Sequence, residues 1–102
     1  MNAAEWQSRN SQYLAASLAW LRLCLERLAG ASETPSDEQV MQAEHERSEA
    51  AGFDPPPALE LLGRQLGLSP FEKNILLLCV ALELDTRLPS LCARAQAELQ
   101  RP

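Results

Sequence analysis

An apolar run from Ile75 to Leu82 lies at the centre of the stretch Leu61 to Gln96, and it contains no polar side chain. Eight residues are too few to cross a bilayer. That length suits a helix that is buried on nearly all sides in a small core. The run therefore predicts a central core helix over about residues 70–84, around which the rest of the chain is organised.

Local signals mark both ends of this predicted helix. Ser69 and Glu72 have the spacing of a capping box, in which each side chain accepts a hydrogen bond from the backbone N–H of the other. Pro70 would occupy the first helical position, where its missing N–H costs nothing. Gly67 is placed to end the helix before it. A break is predicted near Asp85, which is a good N-cap for a last helix.

A leucine stripe with alternating spacings of four and three predicts a long first helix, from about residue 4 to residue 29, ended by Gly30. The stripe consists of Leu14, Leu18, Leu21, Leu25 and Leu28. It is expected to pack on the Ile75–Leu82 helix of the same chain. The alternative is a self-associating structural module, in which the stripe forms a dimer seam or a groove for a partner.

Negative charge is concentrated between residues 31 and 53, where six acids face one base, whereas the remainder has eight of each. A second helix is predicted there after a polar linker at 31–36, capped by Thr34 or Ser36 and ending near Gly52. Its poor apolar face predicts that it is the least anchored element. Such a charge run is usually a solvated surface, and the functional interpretation is an acidic docking face for a basic partner. The candidate partner-contact residues are Glu33, Asp37, Glu38, Glu44, Glu46 and Glu49.

Two shorter helices complete the predicted organisation. The segment from Asp54 to Pro57 is a stiff, extended connector. A short helix follows it, and Gly63 within that helix permits close packing. Its apolar side chains are Leu59, Leu62 and Leu66, and those of the last helix are Leu88, Leu91, Cys92, Ala95 and Leu99.

Composition favours helices and a single domain spanning residues 1–102. The chain has only two valines, one isoleucine and five aromatic residues, whereas leucine and alanine dominate. A chain of 102 residues can bury one modest core. The predicted fold class is all-α, a small bundle of four to five helices around the buried central helix.

The sequence lacks the residues that phosphate-binding loops and zinc sites require. None of the four glycines precedes a lysine, so a phosphate-binding GxxxxGK[ST] loop is excluded. His45 is the single histidine, and Cys24, Cys79 and Cys92 form no CxxC pair, so no zinc cluster is expected. The chain is therefore expected to be no enzyme and to bind no cofactor or metal itself.

The net charge and the cysteine content also limit which partners and which cellular compartment are expected. A formal net charge of −5 argues against binding to a phosphate backbone. Unpaired cysteines in apolar helical contexts are typical of reduced thiols in a cytoplasmic protein, and no signal peptide precedes the first helix. We expect a protein partner, and neither nucleic acid nor a membrane.

The turn from Leu66 to Ser69 has the form of the turn in a helix-turn-helix motif. The helix after it would then be the recognition helix, but only Lys73 and Asn74 on it could contact base edges. DNA binding is therefore kept as the less favoured alternative.

The residues from Gly63 to Gln96 resemble a segment that precedes the ATPase core in a group of bacterial AAA+ ATPases, similar to those encoded with contractile injection particles. The match covers about a third of the chain, and the capped helix start and the ELDxR break occur in the same order. The matching residues are Gly67 to Glu72, Leu76 to Cys79, Glu83 to Asp85, Arg87, Leu91 to Ala93, Ala95 and Gln96.

The resemblance implies a non-catalytic N-terminal module that recruits a protein partner or substrate to an ATPase ring, or regulates that ring. It implies that ATP and Mg²⁺ bind only in a later domain, because no Walker residue is present here. The chain stops at Gln100-Arg101-Pro102 without a closing signal, as a cut before a further domain would leave it.

Overall fold

The computed structural model describes residues 1–30 and 33–100, and these residues form five helices without any strand. The all-α fold class is confirmed. Residues 31 and 32 of the predicted linker, and the predicted ending at Arg101 and Pro102, lie outside the described residues. The helices are α1 (Ala3–Leu28), α2 (Asp37–Ala50), α3 (Ala58–Leu66), α4 (Pro70–Leu84) and α5 (Leu88–Leu99).

Serine capping boxes begin α2 and α4. Of the two predicted caps for α2, Ser36 is the one used: its hydroxyl accepts from the Gln39 N–H at 3.2 Å, and Gln39 Oε1 accepts from the Ser36 N–H at 2.8 Å. The predicted box of α4 is also present, with Ser69 N donating to Glu72 Oε1 at 2.9 Å. These helix starts follow from local side-chain chemistry, which a sequence displays directly.

The prediction that Asp85 is the N-cap of α5 is wrong. The helix begins at Leu88, and the Asp85 carboxylate accepts from the backbone N–H of Arg87 at 3.0 Å and from its guanidinium at 3.1 Å. Asp85 thus closes a tight turn before α5 instead of capping its first turn. Those hydrogen bonds from Arg87 hold the pKa of Asp85 below its ordinary value.

The core is formed where α1, α4 and α5 meet. Its buried side chains include Leu21 of α1, Leu77 and Ala81 of α4, and Leu88 and Leu91 of α5. The leucine stripe of α1 packs on this cluster within the same chain, and it contacts α5 more extensively than α4. The stripe is therefore used inside the fold, with Leu28 left exposed at its end.

The expectation that α4 is enclosed on nearly all sides is wrong. Leu77 and Ala81 are fully buried, but Phe71 is 71% exposed and Ile75 is 46% exposed. The run from Ile75 to Leu82 contains no polar residue, so its sequence does not distinguish a core face from a face that remains in solvent. Only one side of α4 belongs to the core.

The expectation that α2 is the least anchored element is also wrong, since the contact between α1 and α2 is the most extensive of all helix pairs. Ala43 is buried in that contact, and the Arg47 guanidinium lies 4.5 Å from the ring centroid of Trp20. Arg47 Nε also donates to the hydroxyl of the fully buried Ser17 at 3.2 Å. A partly buried arginine thus supplies the anchor that the apolar pattern lacks.

Candidate functional site

The candidate site is built around the turn between α3 and α4. Gly67 adopts φ +64°, a left-handed conformation that glycine enters at no steric cost. The N–H of Leu68 donates to the carbonyl of Gly63 at 2.8 Å, and that of Gly67 to Arg64, which is the Schellman pattern of a helix end. α4 begins at Pro70, so α3 and α4 form a helix-turn-helix.

The two residues of α4 that could contact base edges are engaged inside the protein. Lys73 Nζ lies 3.2 Å from Glu60 Oε2, and the same carboxylate accepts from the Tyr13 hydroxyl at 3.3 Å. Asn74 Oδ1 accepts from the Arg47 guanidinium at 3.4 Å. These contacts direct the cation and the amide of α4 toward its neighbours in the fold.

The outward side of α4 is apolar instead. Phe71, Ile75, Cys79 and Leu82 follow one another at spacings of four, four and three, and all four side chains are exposed. Residues at these spacings share one face of a helix. We call them the outer stripe of α4.

An apolar groove lies beside the outer stripe and consists of two adjoining depressions. The first, about 210 Å³, is enclosed by α1, α3 and α4, and its side chains include Leu14, Leu59 and Val80. The second, about 400 Å³, opens toward the α3–α4 turn and includes Leu66, Leu68 and Ile75. Leu62 and Leu76 line both depressions, which makes the groove continuous.

Glu72 is the one charged residue among the described side chains that line this groove. Its backbone N–H donates to the Ser69 hydroxyl at 3.1 Å, while its carboxylate accepts from the Ser69 N–H. The hydrogen bond that the carboxylate accepts from the Ser69 N–H holds the pKa of Glu72 below its ordinary value, so the carboxylate stays ionised at neutral pH. The capping box therefore also places a fixed anion at the edge of an apolar surface.

The predicted acidic contact residues are all exposed, and two of them, Glu38 and Glu46, line the same depression between α1 and α2. Asp37 pairs with Arg27 at 2.7 Å, and Glu49 lies 3.0 Å from the ring of His45. Glu46 accepts from Gln42 at 3.2 Å. The side chains of Glu33, Glu38 and Glu44 are solvent-exposed as well. Nothing in this geometry separates a docking face from a solvated surface.

The described part of the chain offers neither a metal site nor a membrane-spanning helix. Residues 1–30 and 33–100 contain no group of three or more His, Cys, Asp or Glu side chains that could hold a metal ion. None of the described helices is long and apolar enough to cross a membrane. The three cysteines are free thiols, and burial raises the pKa of Cys24.

The groove was missed by sequence reasoning, although one signal for it exists. Leu62 and Leu66 lie on the apolar face predicted for α3, and Leu76 belongs to the apolar run. The fold does not bury all of these apolar side chains, since Leu62, Leu66 and Ile75 remain exposed. Excess apolar side chains in a small chain are the signal for an exposed apolar surface.

Comparison with known proteins identifies the family. The family model described as "Winged helix domain, variant" matches residues 31–101, more than half of the chain. That range contains α2 to α5, including the α3–α4 helix-turn-helix. No curated protein and no solved structure matches the chain. The chain therefore belongs to the winged helix domain family, as a variant whose described residues are all helical or in turns.

Proposed function

We propose that this winged helix domain binds a protein partner, and that the apolar groove with the outer stripe of α4 is its docking surface. One observation carries the proposal. The helix that a DNA-binding helix-turn-helix places in the major groove here presents Phe71 and Ile75 to solvent, and its first turn carries the exposed carboxylate of Glu72. Exposed apolar side chains grouped on one face are typical of a protein interaction site.

Electrostatics support a protein over DNA as the partner. The first turn of a recognition helix supplies most base contacts, and in α4 that turn holds Pro70, Phe71 and Glu72. A carboxylate there repels phosphate, and the nearby Lys73 is paired with Glu60. The net charge of −5 removes the general attraction that sequence-independent DNA binding requires.

DNA binding is the competing function, because the helix-turn-helix is present and the family match is compatible with it. It predicts association with duplex DNA that weakens steeply as salt concentration rises. We expect fluorescence anisotropy at low salt to show no association of the chain with a labelled duplex at micromolar concentrations. Saturable, salt-dependent binding that is lost on Lys73→Ala would overturn the protein-binding proposal.

Site-directed photo-cross-linking tests the docking surface directly. A photoreactive amino acid placed at Ile75 is expected to give a nuclease-resistant protein adduct in the native cells. The same group at Leu99, which is exposed on α5 and lines neither depression, serves as the matched control and is expected to give none. The Ile75 adduct should disappear when Leu66 is changed to Ser. A nuclease-sensitive adduct, or equal adducts from both positions, contradicts the proposal.

The resemblance over Gly63 to Gln96 supports a finer proposal, that the domain is the non-catalytic N-terminal module of a bacterial AAA+ ATPase and recruits a partner to the ATPase ring. In this proposal ATP and Mg²⁺ bind in a later domain, and the protein acts in the cytoplasm, where Cys24, Cys79 and Cys92 stay reduced. A GxxxxGK[ST] motif encoded after Pro102 is the expected result. A coding sequence that ends at Pro102 would contradict it.

The acidic residues of α2 are retained as a separate contact proposal, motivated by their local charge. Reversal of Glu44, Glu46 and Glu49 to Lys is the test, once the Ile75 adduct has identified the partner. Weaker and less salt-dependent binding of that partner is the expected result. Unchanged affinity would assign these residues to solvation.

A further inference from the structure

Building on the proposed function, we infer that the occupant of the apolar groove is an amphipathic helix of the partner. This helix would carry apolar side chains at i, i+3 or i+4, and i+7, and a lysine or arginine placed beside Glu72. The inference rests on the shape of the groove, on the kind of residues that line it and on its single fixed charge.

The walls of the groove favour a helix over an extended segment. An added β-strand needs unpaired backbone N–H and C=O groups along a sheet edge. Here the walls are α1, α3 and α4, whose backbone groups are bonded within the helices, and no strand is present among residues 1–30 and 33–100. Side chains alone form the surface, which is the situation in which a helix docks into a groove.

The residues in the groove also argue against a proline-rich segment. Polyproline segments dock in grooves lined by aromatic rings, whereas Tyr13 is the one aromatic residue among the described groove residues and is only 3% exposed. Phe71 is the one aromatic residue of the outer stripe, and a single ring does not form such a lining. The remaining lining is mainly leucine. Two depressions that share Leu62 and Leu76 can each receive one large apolar side chain, as successive anchors of an amphipathic helix require.

Charge decides between a basic partner and a second copy of this chain. Glu72 is an exposed anion at the groove edge, and Glu83 is exposed on the same helix. A second copy that docks through the same surface would bring the same carboxylates, Glu72 and Glu83, to the contact. A cationic side chain on the docking helix complements Glu72 instead, and such complementarity sets partner choice and orientation.

A peptide series tests the inference with the chain as it is. Three synthetic helical peptides of about 18 residues share one leucine stripe, and they differ only in carrying Lys, Gln or Glu at the flanking positions. We expect the Lys peptide to bind about two- to fivefold more tightly than the Gln peptide at low salt, and the Glu peptide to bind most weakly. Isothermal titration calorimetry at two salt concentrations measures the three affinities.

Glu72→Gln is the decisive variant, because glutamine keeps the cap. Gln39 performs that role in α2 of this same chain, where its Oε1 accepts from the Ser36 N–H. The variant is therefore expected to keep α4 intact by circular dichroism and to abolish the advantage of the Lys peptide. An advantage that persists in Glu72→Gln overturns the assignment of the charge contact.

Groove variants separate failure of this inference from failure of the proposed function. Ile75→Ser should weaken all three peptides at least about tenfold, whereas Leu99→Ser on the exposed surface of α5 should change none of them. Equal binding of the three peptides that is lost in Ile75→Ser leaves the docking surface standing and overturns the basic partner. Binding by none of the peptides, together with a specific Ile75 cross-link, overturns the helical occupant alone. A dimer in light scattering that Ile75→Ser dissociates overturns the inference in favour of a second copy.

Discussion

The side chain of Lys73 in α4 lies directly over Gly63 in α3. A Cβ added to Gly63 would meet Lys73 Cδ at 2.6 Å, which is closer than such atoms approach in proteins, and Cγ at 3.1 Å, which is a tight contact. The lysine continues past this point to the Glu60 carboxylate. Because Gly63 has no side chain, the aliphatic part of Lys73 can cross α3 at this position. The ammonium group of Lys73 then pairs with Glu60 beyond the crossing.

Gly63→Ala tests this relationship, because two effects oppose each other. Alanine favours a helix interior by about 1 kcal/mol over glycine, but its Cβ must displace Lys73. We expect the variant to destabilise the fold by about 1–2 kcal/mol, and to stabilise it by up to about 1 kcal/mol in a Lys73→Ala background. Chemical denaturation of the four chains gives the coupling free energy. The same effect in both backgrounds would mean that Lys73 does not occupy this position.

Leu77 should dominate the contribution of α4 to stability. It is fully buried in the core, so Leu77→Ala is expected to cost about 2–5 kcal/mol of unfolding free energy. Leu82→Ala, on the exposed side of the same helix, serves as the control and is expected to cost less than about 1 kcal/mol. Urea denaturation checks both. Equal losses at the two positions would contradict the one-sided burial of α4.

Arg47 should matter far more than an exposed arginine. Arg47→Met keeps much of the aliphatic stem but loses the contact with the Trp20 ring and the hydrogen bond to Ser17. We expect a cost of about 1–3 kcal/mol, together with a change in tryptophan fluorescence. Arg9→Met, on the exposed surface of α1, is the matched control. Similar stability of the two variants would show that α2 is held in another way.

The cap of α4 should give a characteristic pH dependence. Because the pKa of Glu72 is depressed in the folded chain, its ionised form stabilises the fold at pH values above its unfolded pKa of about 4.3. That contribution is lost as the pH falls through the lower, folded pKa. Thermal unfolding of the wild type and Glu72→Gln should therefore differ at pH 7 and converge in acid. A gap in Tm that widens on acidification would refute the assignment.

Cys79 and Cys24 should react with a thiol reagent at different rates. Burial raises the pKa of Cys24 and limits access to it, and the nearby Glu44 carboxylate raises that pKa further. Cys79 is exposed on the outer stripe. At pH 7.5 a maleimide is expected to label Cys79 faster than Cys24 on the order of tenfold, since the thiolate is the reactive form. Mass spectrometry of single-cysteine variants measures the rates, and equal rates would contradict the burial of Cys24.

Interactions between neighbouring residues made several of the helix ends predictable from the sequence. Which side of a helix is buried could not be predicted in the same way. The caps at Ser36 and Ser69 and the end of α3 at Gly67 depend on neighbouring residues, so the sequence displays them. The exposed side of α4 was not predictable, because an apolar run looks the same whether it faces a core or solvent. The anchor of α2 was missed because Arg47 was counted as a charge, whereas its main contacts are with Trp20 and Ser17.

The candidate site shows the same limit in another form. Local negative charge predicted a contact face at the acidic residues of α2, and the structure leaves these residues exposed. The groove needed the relative placement of α1, α3 and α4, and no periodicity within one helix contains that information. Glu72 was recognised as a cap, but its position at the groove edge follows only from the packing of Leu62 and Leu66 beside α4.

Gly67 lines neither depression, yet its left-handed backbone sets how α3 leads into α4. The two helices on either side of that residue, α3 and α4, form two of the three walls of the groove, so the turn at Gly67 helps to set its width. Replacement of Gly67 by a residue with a Cβ would strain this left-handed turn. Under the proposed function, such a replacement would change which partner fits while every groove residue stayed the same.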